Sequence, residues 1–369
     1  MKRIAILTSG GDAPGMNAAV RAATLIGRAL GADVLGIERG YRGLLDDAFV
    51  DLGPQDVAGI LREGGTILGS ARCKEFHQKE VRDRARAILT RREIDGLVIV
   101  GGNGSLTGAL HLADPKEIAG GRPLKVIGVP ASIDNDLGLT GLSIGVDTAM
   151  NTIVEACDKI ADTATAHDRT FIVEVMGRDC GYLAMTSAIA VGADLALFPE
   201  AGKPEAEIVE QIVETVIAIR QKQRRARKVI IIKAEGVSLA VDRLKTLVDA
   251  RLKERVPDAE PAAIETRVTV LGHVVRGGRP SAFDRLLGSR LANVAVRALM
   301  AGQSHKMAAW MPPGDLPEEV GTRSAHDPYC WLVDLGAVLA ETENLLHGRS
   351  PLARWRAVAF EEIEDALLL

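Results

Sequence analysis

Short apolar runs alternate along the chain with segments of helical periodicity, and this rhythm constrains the fold more than any other feature. The runs are residues 4–7, 33–37, 97–100, 126–129, 171–175, 229–232 and 268–271. Runs of this length, rich in Val, Ile and Leu and separated by helical patterns, are typical of buried parallel strands. The alternation therefore predicts an α/β fold with helices on both faces of a parallel sheet.

Length and composition indicate a globular protein with more than one domain. The chain has 369 residues, 47% of them hydrophobic and 25% charged, with a net charge of -4. The length suits two domains, and the charge gives no reason to expect nucleic acid as a partner. No apolar run reaches the roughly 18 residues of a membrane helix, and no signal peptide is evident. We therefore expect no membrane partner and a cytoplasmic location.

Two glycine-rich segments each follow a predicted strand and precede a predicted helix. The first is residues 8–17, Thr-Ser-Gly-Gly-Asp-Ala-Pro-Gly-Met-Asn, and the second is residues 101–105, Gly-Gly-Asn-Gly-Ser. Glycine lets the backbone approach a ligand closely, and a helix start offers free N–H groups to an anion. Neither segment has the Walker pattern or the spacing of the dinucleotide fingerprint. Each alone is a weak signal of phosphate binding.

Two carboxylates, Asp134 and Asp136, follow the apolar run at residues 126–129. The end of a strand is where an open α/β sheet binds its ligand. With one residue between them, the two side chains can face one reacting centre, where one accepts a proton and the other helps to hold a metal. This division suits phosphoryl transfer to a hydroxyl group. The alternative is a polar turn that caps the next helix.

Together, these segments identify a family. The sequence resembles the 6-phosphofructokinases of the non-ribokinase type over residues 2–301. The segments that carry the resemblance are residues 8–17, 69–72, 101–105, 133–136, 173–178 and 271–278. Residues 72–74 and 281–284 look more like the catalytic half of the doubled eukaryotic enzymes than like the short bacterial ones. Beyond residue 305 the resemblance is poor, and residues 361–369 are interpreted either as a docking helix or as a frayed end.

The resemblance implies two doubly wound, mainly parallel α/β domains with the active site in the cleft between them. We predict a nucleotide-binding domain from residues 1–140 and about 275–325. Residues 141–274 and 326–369 would form the domain that binds the sugar phosphate. The basic run at residues 221–228 is predicted to be a solvated helix end rather than a ligand patch.

The resemblance also implies a reaction, the glycolytic transfer of a phosphoryl group from Mg·ATP to the 1-hydroxyl of fructose 6-phosphate. Asp134 would accept the hydroxyl proton. Ser132, where the family usually has threonine, would reach the transferring phosphate. Arg178 and the backbone N–H of Gly11 would neutralise the charge on the phosphoryl oxygens from opposite sides.

The sugar phosphate is expected to bind among cationic side chains, because guanidinium groups match phosphate oxygens bidentately. Glu235 would hydrogen-bond the sugar hydroxyls, and Met176 would pack on the ring. In the family, the counterparts of Arg169 and Arg267 reach the site of a neighbouring subunit. The resemblance therefore implies a homotetramer, a dimer of dimers with shared active sites. The predicted substrate-binding residues are Ser132, Asp134, Arg169, Met176, Gly177, Arg178, Glu235, Arg267, His273 and Arg276.

Gly104 and Ala131 are the positions that discriminate between phosphoryl donors. Relatives that use pyrophosphate tend to have an acidic residue at the first and a lysine at the second. Glycine and alanine leave space for the α-phosphate of a nucleotide, which favours ATP. The predicted nucleotide-binding residues are Gly11, Tyr41, Arg72, Cys73, Gly102, Asn103, Gly104, Ser105 and Gly108.

Asn103 is the one serious departure from the family pattern, which has aspartate there. Asn103 and Asp136 are the predicted ligands of Mg²⁺, and this cation prefers carboxylate oxygens. The sequence leaves three consequences of Asn103 open, namely weak metal binding, a shifted preference for the phosphoryl donor and lost catalysis. The alternatives to an ATP-dependent enzyme are therefore a pyrophosphate-dependent phosphofructokinase, a catalytically weak regulatory subunit that binds sugar phosphate, and a nucleotide-binding module without kinase activity. The other catalytic positions are filled, which argues against decay of the site.

Overall fold

The computed structural model describes residues 1–117, 123–222, 228–257, 265–311, 317 and 319–367. Its strands are β1 (Arg3–Ser9), β2 (Asp33–Ile37), β3 (Phe49–Asp51), β4 (Gly96–Gly101), β5 (Lys125–Pro130), β6 (Thr170–Val175), β7 (Leu195–Leu197), β8 (Val229–Ala234), β9 (Thr266–Val270), β10 (Lys306–Trp310), β11 (Gly321–Arg323) and β12 (Cys330–Asp334). Its α-helices are α1 (Met16–Ala29), α2 (Gly40–Leu45), α3 (Lys79–Arg91), α4 (Asn103–Leu112), α5 (Val146–Ala166), α6 (Tyr182–Val191), α7 (Glu205–Lys222), α8 (Val241–Arg255), α9 (Ala282–Met300), α10 (Leu335–Leu346) and α11 (Pro351–Leu367). Short 3-10 helices cover Ile60–Arg62, Lys74–His77, Pro199–Ala201 and Gly272–Arg276.

The chain divides into two compact units. The first consists of Met1–Thr148 and Arg276–Asn344, and the second of Ala149–Val275 and Leu345–Leu369. The prediction of two mainly parallel α/β domains is confirmed. The position of the active site in a cleft between them stays a prediction. None of the helices in the described ranges is long and apolar enough to cross a bilayer.

The first unit is built on an eight-stranded sheet with the strand order β11-β12-β10-β5-β4-β1-β2-β3. Strands β2, β1, β4, β5 and β10 pair in parallel, whereas β3 at one edge and β12 and β11 at the other pair antiparallel. In β1, Ile4, Ala5, Ile6 and Leu7 are all 0% exposed. A central parallel strand is covered on both faces, which is why its sequence reads as a continuous apolar run.

The register of the central strands places three turns at one edge of this sheet. Ser9 at the end of β1 pairs with Gly101 at the end of β4. Gly101 in turn pairs with Pro130 at the end of β5. Because the three strands are parallel, the turns that follow them leave the sheet side by side.

The second unit is built on a four-stranded sheet with the order β7-β8-β6-β9, in which every pair is parallel. The helix α11 belongs to this unit and packs on α6 and on the 3-10 helix Pro199–Ala201. Its Phe360 is 4% exposed and meets the Phe198 ring edge to face, with centroids 5.4 Å apart. Residues 361–367 continue this helix with Glu361, Glu362 and Ile363 exposed, so the interpretation of residues 361–369 as a docking helix stays a prediction.

All seven apolar runs lie in strands except for Leu271, which follows β9, but the predicted domain boundary near residue 326 is wrong. Strands β11 and β12 continue the sheet of the first unit, where Ala308 of β10 pairs with Leu332 of β12. Residues 326–344 therefore belong to the first unit rather than to the second. Backbone hydrogen bonding between β12 and β10 places these residues in the first unit. The sequence contains no periodic pattern that indicates this pairing. Of the basic run, residues 223–227 lie outside the described residues.

Candidate active site

The glycine-rich turn after β1 leads directly into α1. Gly10 and Gly15 have φ angles of 87° and 109°, a region that favours glycine because a Cβ would clash with the backbone. Gly15 is the N-cap residue of α1, and residues 10–12 are exposed. The backbone N–H groups of this turn therefore lie at the carboxyl edge of the sheet, beside a helix start, where an anion can reach them.

The second glycine-rich turn joins β4 to α4 and adjoins the first. A Cβ at Gly101 would lie 2.5 Å from the Ser9 carbonyl oxygen, so only glycine fits between the two turns. Gly104 is exposed, and a Cβ there would meet no described atom within 4 Å. Ala131, the other donor-discriminating position, is 1% exposed. Space for a donor is therefore present at Gly104, whereas Ala131 is packed.

Asp134 and Asp136 lie in the carboxylate turn, residues 131–136, and both are buried. Asp134 is 3% exposed and Asp136 is 6% exposed. The Ser132 hydroxyl donates a hydrogen bond of 2.7 Å to Asp136 Oδ1. The next helix, α5, begins only at Val146, so the carboxylates do not cap it. Burying two carboxylates is costly, and this cost favours a functional role over that of a polar turn.

Arg276 brings a positive charge to the Asp134 carboxylate. Arg276 Nη2 lies 3.9 Å from Asp134 Oδ2, and the two side chains are 17% and 5% exposed. A Cβ at Gly11 would collide with the Arg276 guanidinium, so the glycine leaves room for the arginine. Three residues predicted from separate motifs, Gly11, Asp134 and Arg276, are therefore brought together within the first unit.

Tyr41 differs from the prediction that it lines the nucleotide site, whereas the same role for the half-buried Gly108 stays a prediction. Tyr41 is 4% exposed, and its hydroxyl donates to the Ser105 carbonyl oxygen at 2.6 Å. Its ring stacks on Phe76 with centroids 4.0 Å apart, and a Cβ at Gly108 would lie 2.9 Å from it. Burial raises the pKa of the Tyr41 hydroxyl, so this group stays a neutral donor. Tyr41 therefore supports α4 from its buried side, whereas Gly108 is a residue of α4 itself.

The segment at residues 69–73 is tied to the first glycine-rich turn. The Thr8 hydroxyl donates to the Gly69 carbonyl oxygen at 2.8 Å, and the Ser70 hydroxyl donates to the Gly10 carbonyl oxygen. Arg72 is exposed and Cys73 is half-buried. Burial raises the pKa of the Cys73 thiol, so it stays neutral near pH 7. An exposed arginine beside the turn fits the predicted nucleotide-binding role.

In the second unit, Glu235 shapes the turn that carries Arg178. Glu235 Oε1 accepts hydrogen bonds from the backbone N–H of Arg178 at 2.8 Å and of Gly177 at 3.2 Å. Gly177 has a φ of 151° and Arg178 a φ of 52°. A Cβ at Gly236 would collide with the Arg178 carbonyl oxygen. Glu235, predicted as a ligand of the sugar hydroxyls, therefore has a backbone-holding role that its sequence position did not indicate.

The predicted substrate-binding residues of the second unit lie at two opposite edges of its sheet. Met176, Gly177 and Arg178 follow β6, Glu235 follows β8, and His273 follows β9, so all five lie at the carboxyl edge. Arg169 precedes β6, and Arg267 pairs with Phe171 near the amino end of β9. At about 3.3 Å per residue, the length of β6 separates the two edges by roughly 20 Å. Within the second unit, Arg169 and Arg267 therefore lie apart from the group around Arg178.

Two buried residues that hold the site together had no predicted role. Asn135 is 0% exposed with a φ of 51°, and asparagine is one of the few residues that tolerate this conformation. Asp284, also 0% exposed, accepts hydrogen bonds from Gly145 N at 2.7 Å and from the Thr148 hydroxyl at 2.6 Å. Burial raises the pKa of Asp284. Position inside the quoted motifs was the only sequence signal for either residue.

The first unit thus combines backbone N–H groups at glycine-rich turns, a buried pair of carboxylates and a guanidinium at one edge of a parallel sheet. These parts suit phosphoryl transfer, which depends on positioning and on neutralising the charge of phosphate oxygens. Fold and site together define the class of α/β phosphotransferases.

Comparison with known proteins narrows the class to a family. The family described as phosphofructokinase matches residues 3–299. The ATP-dependent 6-phosphofructokinase of Thermotoga neapolitana is 46% identical over 311 residues, 84% of this chain and 90% of the relative. That of Clostridium acetobutylicum is 46% identical over 307 residues, 83% of this chain and 89% of the relative. The chain belongs to the phosphofructokinase family, whose phosphoryl transfer needs a divalent metal.

Solved structures agree with this membership. The phosphofructokinase of Saccharomyces cerevisiae has a TM-score of 0.81 and 33% identity, covering 100% of this chain and 50% of the yeast chain. That of Pichia pastoris has a TM-score of 0.84 and 35% identity, covering 99% of this chain and 39% of the other. This chain thus spans about half the length of the S. cerevisiae chain. A pyrophosphate-dependent phosphofructokinase from Marinobacter aquaeolei, with a TM-score of 0.73 and 20% identity, shares the fold.

Proposed function

We propose that the protein transfers the terminal phosphoryl group of Mg·ATP to the 1-hydroxyl of fructose 6-phosphate, giving fructose 1,6-bisphosphate and ADP, a step of glycolysis. The observation that carries the proposal is the buried Asp134 carboxylate beside Arg276, at the sheet edge that also carries both glycine-rich turns. The relatives named ATP-dependent 6-phosphofructokinase support the choice of donor and acceptor.

Each residue of the proposed site has a task that its chemistry can perform. Asp134 would take the proton of the attacking hydroxyl as the new O–P bond forms. The N–H of Gly11 and the Arg178 guanidinium would neutralise the charge on the phosphoryl oxygens. Arg276 and His273 would hold the 6-phosphate, and a guanidinium suits this task because its fork matches two phosphate oxygens.

Asn103 and Asp136 fit a role in holding Mg²⁺ together with the phosphates of ATP, because both have side-chain oxygens that can bind the ion. They lie in adjacent turns, since a Cβ at Gly102 would lie 3.6 Å from Ser132 Cβ. In the described ranges, no group of three or more His, Cys, Asp or Glu side chains could hold a metal. The phosphates would therefore supply further ligands, as is usual for Mg²⁺. When bound, the ion would offset the negative charge of the donor.

The choice of donor gives a first prediction. Because Gly104 faces open space, we expect fructose 1,6-bisphosphate to form with ATP and not with pyrophosphate. Initial rates with each donor, over a Mg²⁺ titration, measure this directly. Gly104→Asp should lower the rate with ATP by about tenfold or more, since only about 1.4 kcal/mol of lost transition-state stabilisation is needed.

Gly31→Asp is a suitable control for Gly104→Asp, because it places the same carboxylate at an exposed glycine before β2, at the opposite edge of the sheet, where a Cβ would meet no described atom within 4 Å. It should lower stability without changing donor preference. A wild-type rate with pyrophosphate that exceeds the rate with ATP would replace the proposal by its pyrophosphate-dependent alternative.

Asn103 gives a second prediction. Asn103 is the first residue of α4, and the Thr107 hydroxyl donates to its carbonyl oxygen at 3.0 Å and lies 3.4 Å from its Oδ1. Asn103→Asp adds a carboxylate without a change of shape. We expect a lower Mg²⁺ requirement and a kcat higher by up to about tenfold, because about 1.4 kcal/mol of added attraction suffices. The KM for fructose 6-phosphate should be nearly unchanged.

Asn103→Ala separates the two explanations of this position. If Asn103 merely weakens a metal site, Asn103→Ala should have the same Mg²⁺ requirement and kcat as the wild type, or a somewhat higher requirement and a lower kcat. If Asn103 donates to a donor phosphate, both variants should bind ATP less tightly, and the new carboxylate should repel it. A rise in ATP KM together with a fall in kcat in Asn103→Asp would therefore contradict the metal-deficit explanation.

We further propose that the enzyme is a homotetramer, a dimer of dimers, with active sites shared between subunits. The support is the placement of Arg169 before β6 and of Arg267 near the amino end of β9, whereas Arg178 follows the carboxyl end of β6. This separation from Arg178 supports a role for both arginines in the site of another chain. That the enzyme works in the cytoplasm stays a prediction from the sequence.

A further inference from the structure

The family match ends at residue 299, yet elements beyond it contact the loop that follows the carboxylate turn. This loop, residues 137–143, is called the clamp loop below. Strand β10 and helix α10 both touch it, and all of these residues belong to the first unit. The contacts come from two separate elements, so the clamp loop is held at two points.

Helix α10 holds the clamp loop at Gly138. The Gly138 N–H donates a hydrogen bond of 2.9 Å to the Thr342 hydroxyl, which itself donates to the Val338 carbonyl oxygen at 2.8 Å. Thr342 is 0% exposed. A Cβ at Gly138 would lie 2.7 Å from Glu341 Cβ, so the glycine allows the helix to approach this closely. Without the hydroxyl, a buried N–H would lose its partner, which is a costly loss.

Strand β10 holds the clamp loop at its other end through Trp310. The Gly141 N–H donates to the Trp310 carbonyl oxygen at 2.7 Å, and the Trp310 N–H donates to the Thr140 hydroxyl at 3.1 Å. The Trp310 ring packs under the Arg290 guanidinium at 4.6 Å, and Arg290 Nε donates to Asp327 at 2.6 Å. The backbone of Trp310 is therefore itself well fixed.

The clamp loop is joined directly to the carboxylate turn. Asn135, between the two carboxylates, donates from Nδ2 to the Gly141 carbonyl oxygen at 3.0 Å and accepts at Oδ1 from Ser143 N at 3.0 Å. Leu137, next to Asp136, is 0% exposed and lies in the same buried cluster as Leu335 and Val338 of α10. A shift of the clamp loop would therefore move Asp134 and Asp136.

We propose that Thr342 is a positioning residue for the reaction, acting through Gly138 and the clamp loop on Asp134 and Asp136. The inference rests on the proposed function of Asp134 as the base. A general base must lie within about 2.6–3.2 Å of the proton it takes, and a misplacement of about 1 Å can cost ~10²-fold in rate. The C-terminal segment thus takes part in catalysis without touching substrate.

The test is Thr342→Val, which keeps the shape of the side chain and removes the hydroxyl. We expect kcat to fall by about 10- to 100-fold, with KM for ATP and for fructose 6-phosphate within about threefold of wild type. Thr342→Ser keeps the hydroxyl and should restore most of kcat. Should Thr342→Val fail to fold, Thr140→Val with Thr140→Ser tests the same clamp from its other end.

A fall in kcat that results from general destabilisation must be distinguished from one that results from displacement of Asp134 and Asp136. Val296→Ala on α9 removes buried methyl groups outside the cluster that contains Leu137, Leu335 and Val338, and it leaves the hydrogen bond to Gly138 in place. It should lower the midpoint of thermal unfolding at least as much as Thr342→Val while keeping kcat per folded subunit. Hydrogen exchange at the amides of residues 137–141 should speed up in Thr342→Val and not in Val296→Ala.

The outcomes distinguish this inference from the proposed function. A wild-type protein that forms no fructose 1,6-bisphosphate from either donor overturns the function, and the exchange measurement still decides whether Thr342 holds the clamp loop. An active wild type with unchanged kcat in Thr342→Val overturns the inference alone. Equal losses of kcat in Thr342→Val and Val296→Ala would also overturn it, because they would show a general effect of stability.

Discussion

Replacing Asp134 by serine is expected to lower kcat by ~10²–10⁴-fold, the usual contribution of a general base, while the affinity for fructose 6-phosphate changes little. The carboxylate is 3% exposed and lies 3.9 Å from the nearest Arg276 nitrogen, so no bulk water can easily take over its task. A coupled assay of fructose 1,6-bisphosphate formation gives kcat, and calorimetry with fructose 6-phosphate gives the affinity.

Asp95→Ser is the matched control for this prediction. Asp95 is 9% exposed and accepts a hydrogen bond from Arg3 N at 3.0 Å, at the amino edge of the same sheet. Loss of this buried carboxylate should lower stability and leave kcat unchanged. Normal turnover in Asp134→Ser would remove Asp134 from the mechanism, and an equal loss in Asp95→Ser would attribute the effect to general damage.

The second large effect is expected when two inactive variants are mixed. Arg267→Ser and Asp134→Ser subunits should each be nearly inactive alone, and hybrids of the two should regain activity. In a two-fold symmetric pair, one site of each hybrid receives Asp134 from its own chain and Arg267 from its partner, so that site is intact. The measurement is the rate of verified hybrids, made by dissociating and reassociating differently tagged subunits.

The complementation has a built-in control. Arg243 is an exposed arginine of the same unit, paired with Glu205 at 2.8 Å, and Arg243→Ser should be active without any partner. As a second control, hybrids of Asp134→Ser and Arg178→Ser should regain no activity, since both residues are proposed to serve the site of their own chain. Verified hybrids of Arg267→Ser and Asp134→Ser that stay inactive would refute a shared site.

Much of the fold could be predicted because the signals were local. Each central strand is a short apolar run buried on both faces, and each glycine-rich turn needs backbone conformations or close approaches that only glycine permits. Gly10 and Gly15 adopt positive φ angles, and Gly101 has no room for a Cβ. Such constraints act within a few residues and are therefore written directly into the sequence.

The strands that were not predicted have weak local signals. Strands β3, β7 and β11 have only three residues each, and β10 reads Lys-Met-Ala-Ala-Trp. Their positions depend on hydrogen bonding to a neighbour that is already in place, as β12 pairs with β10. The same reason explains the wrong domain boundary, because pairing with a distant strand leaves no periodic pattern of its own.

For this protein, the sequence by itself determined the family, the parallel α/β architecture and the residue types of the site: Asp134 and Asp136, the glycine-rich turns and the arginines. Only the tertiary structure decided which of them can act together. Strand direction separates Arg169 and Arg267 from Arg178 along β6 and β9, and burial moves Tyr41 out of the predicted site. The hydrogen bond between Gly138 and Thr342 joins residues 204 positions apart. Contacts at such separations depend on how the whole sheet and its helices pack, which no local pattern of residues records.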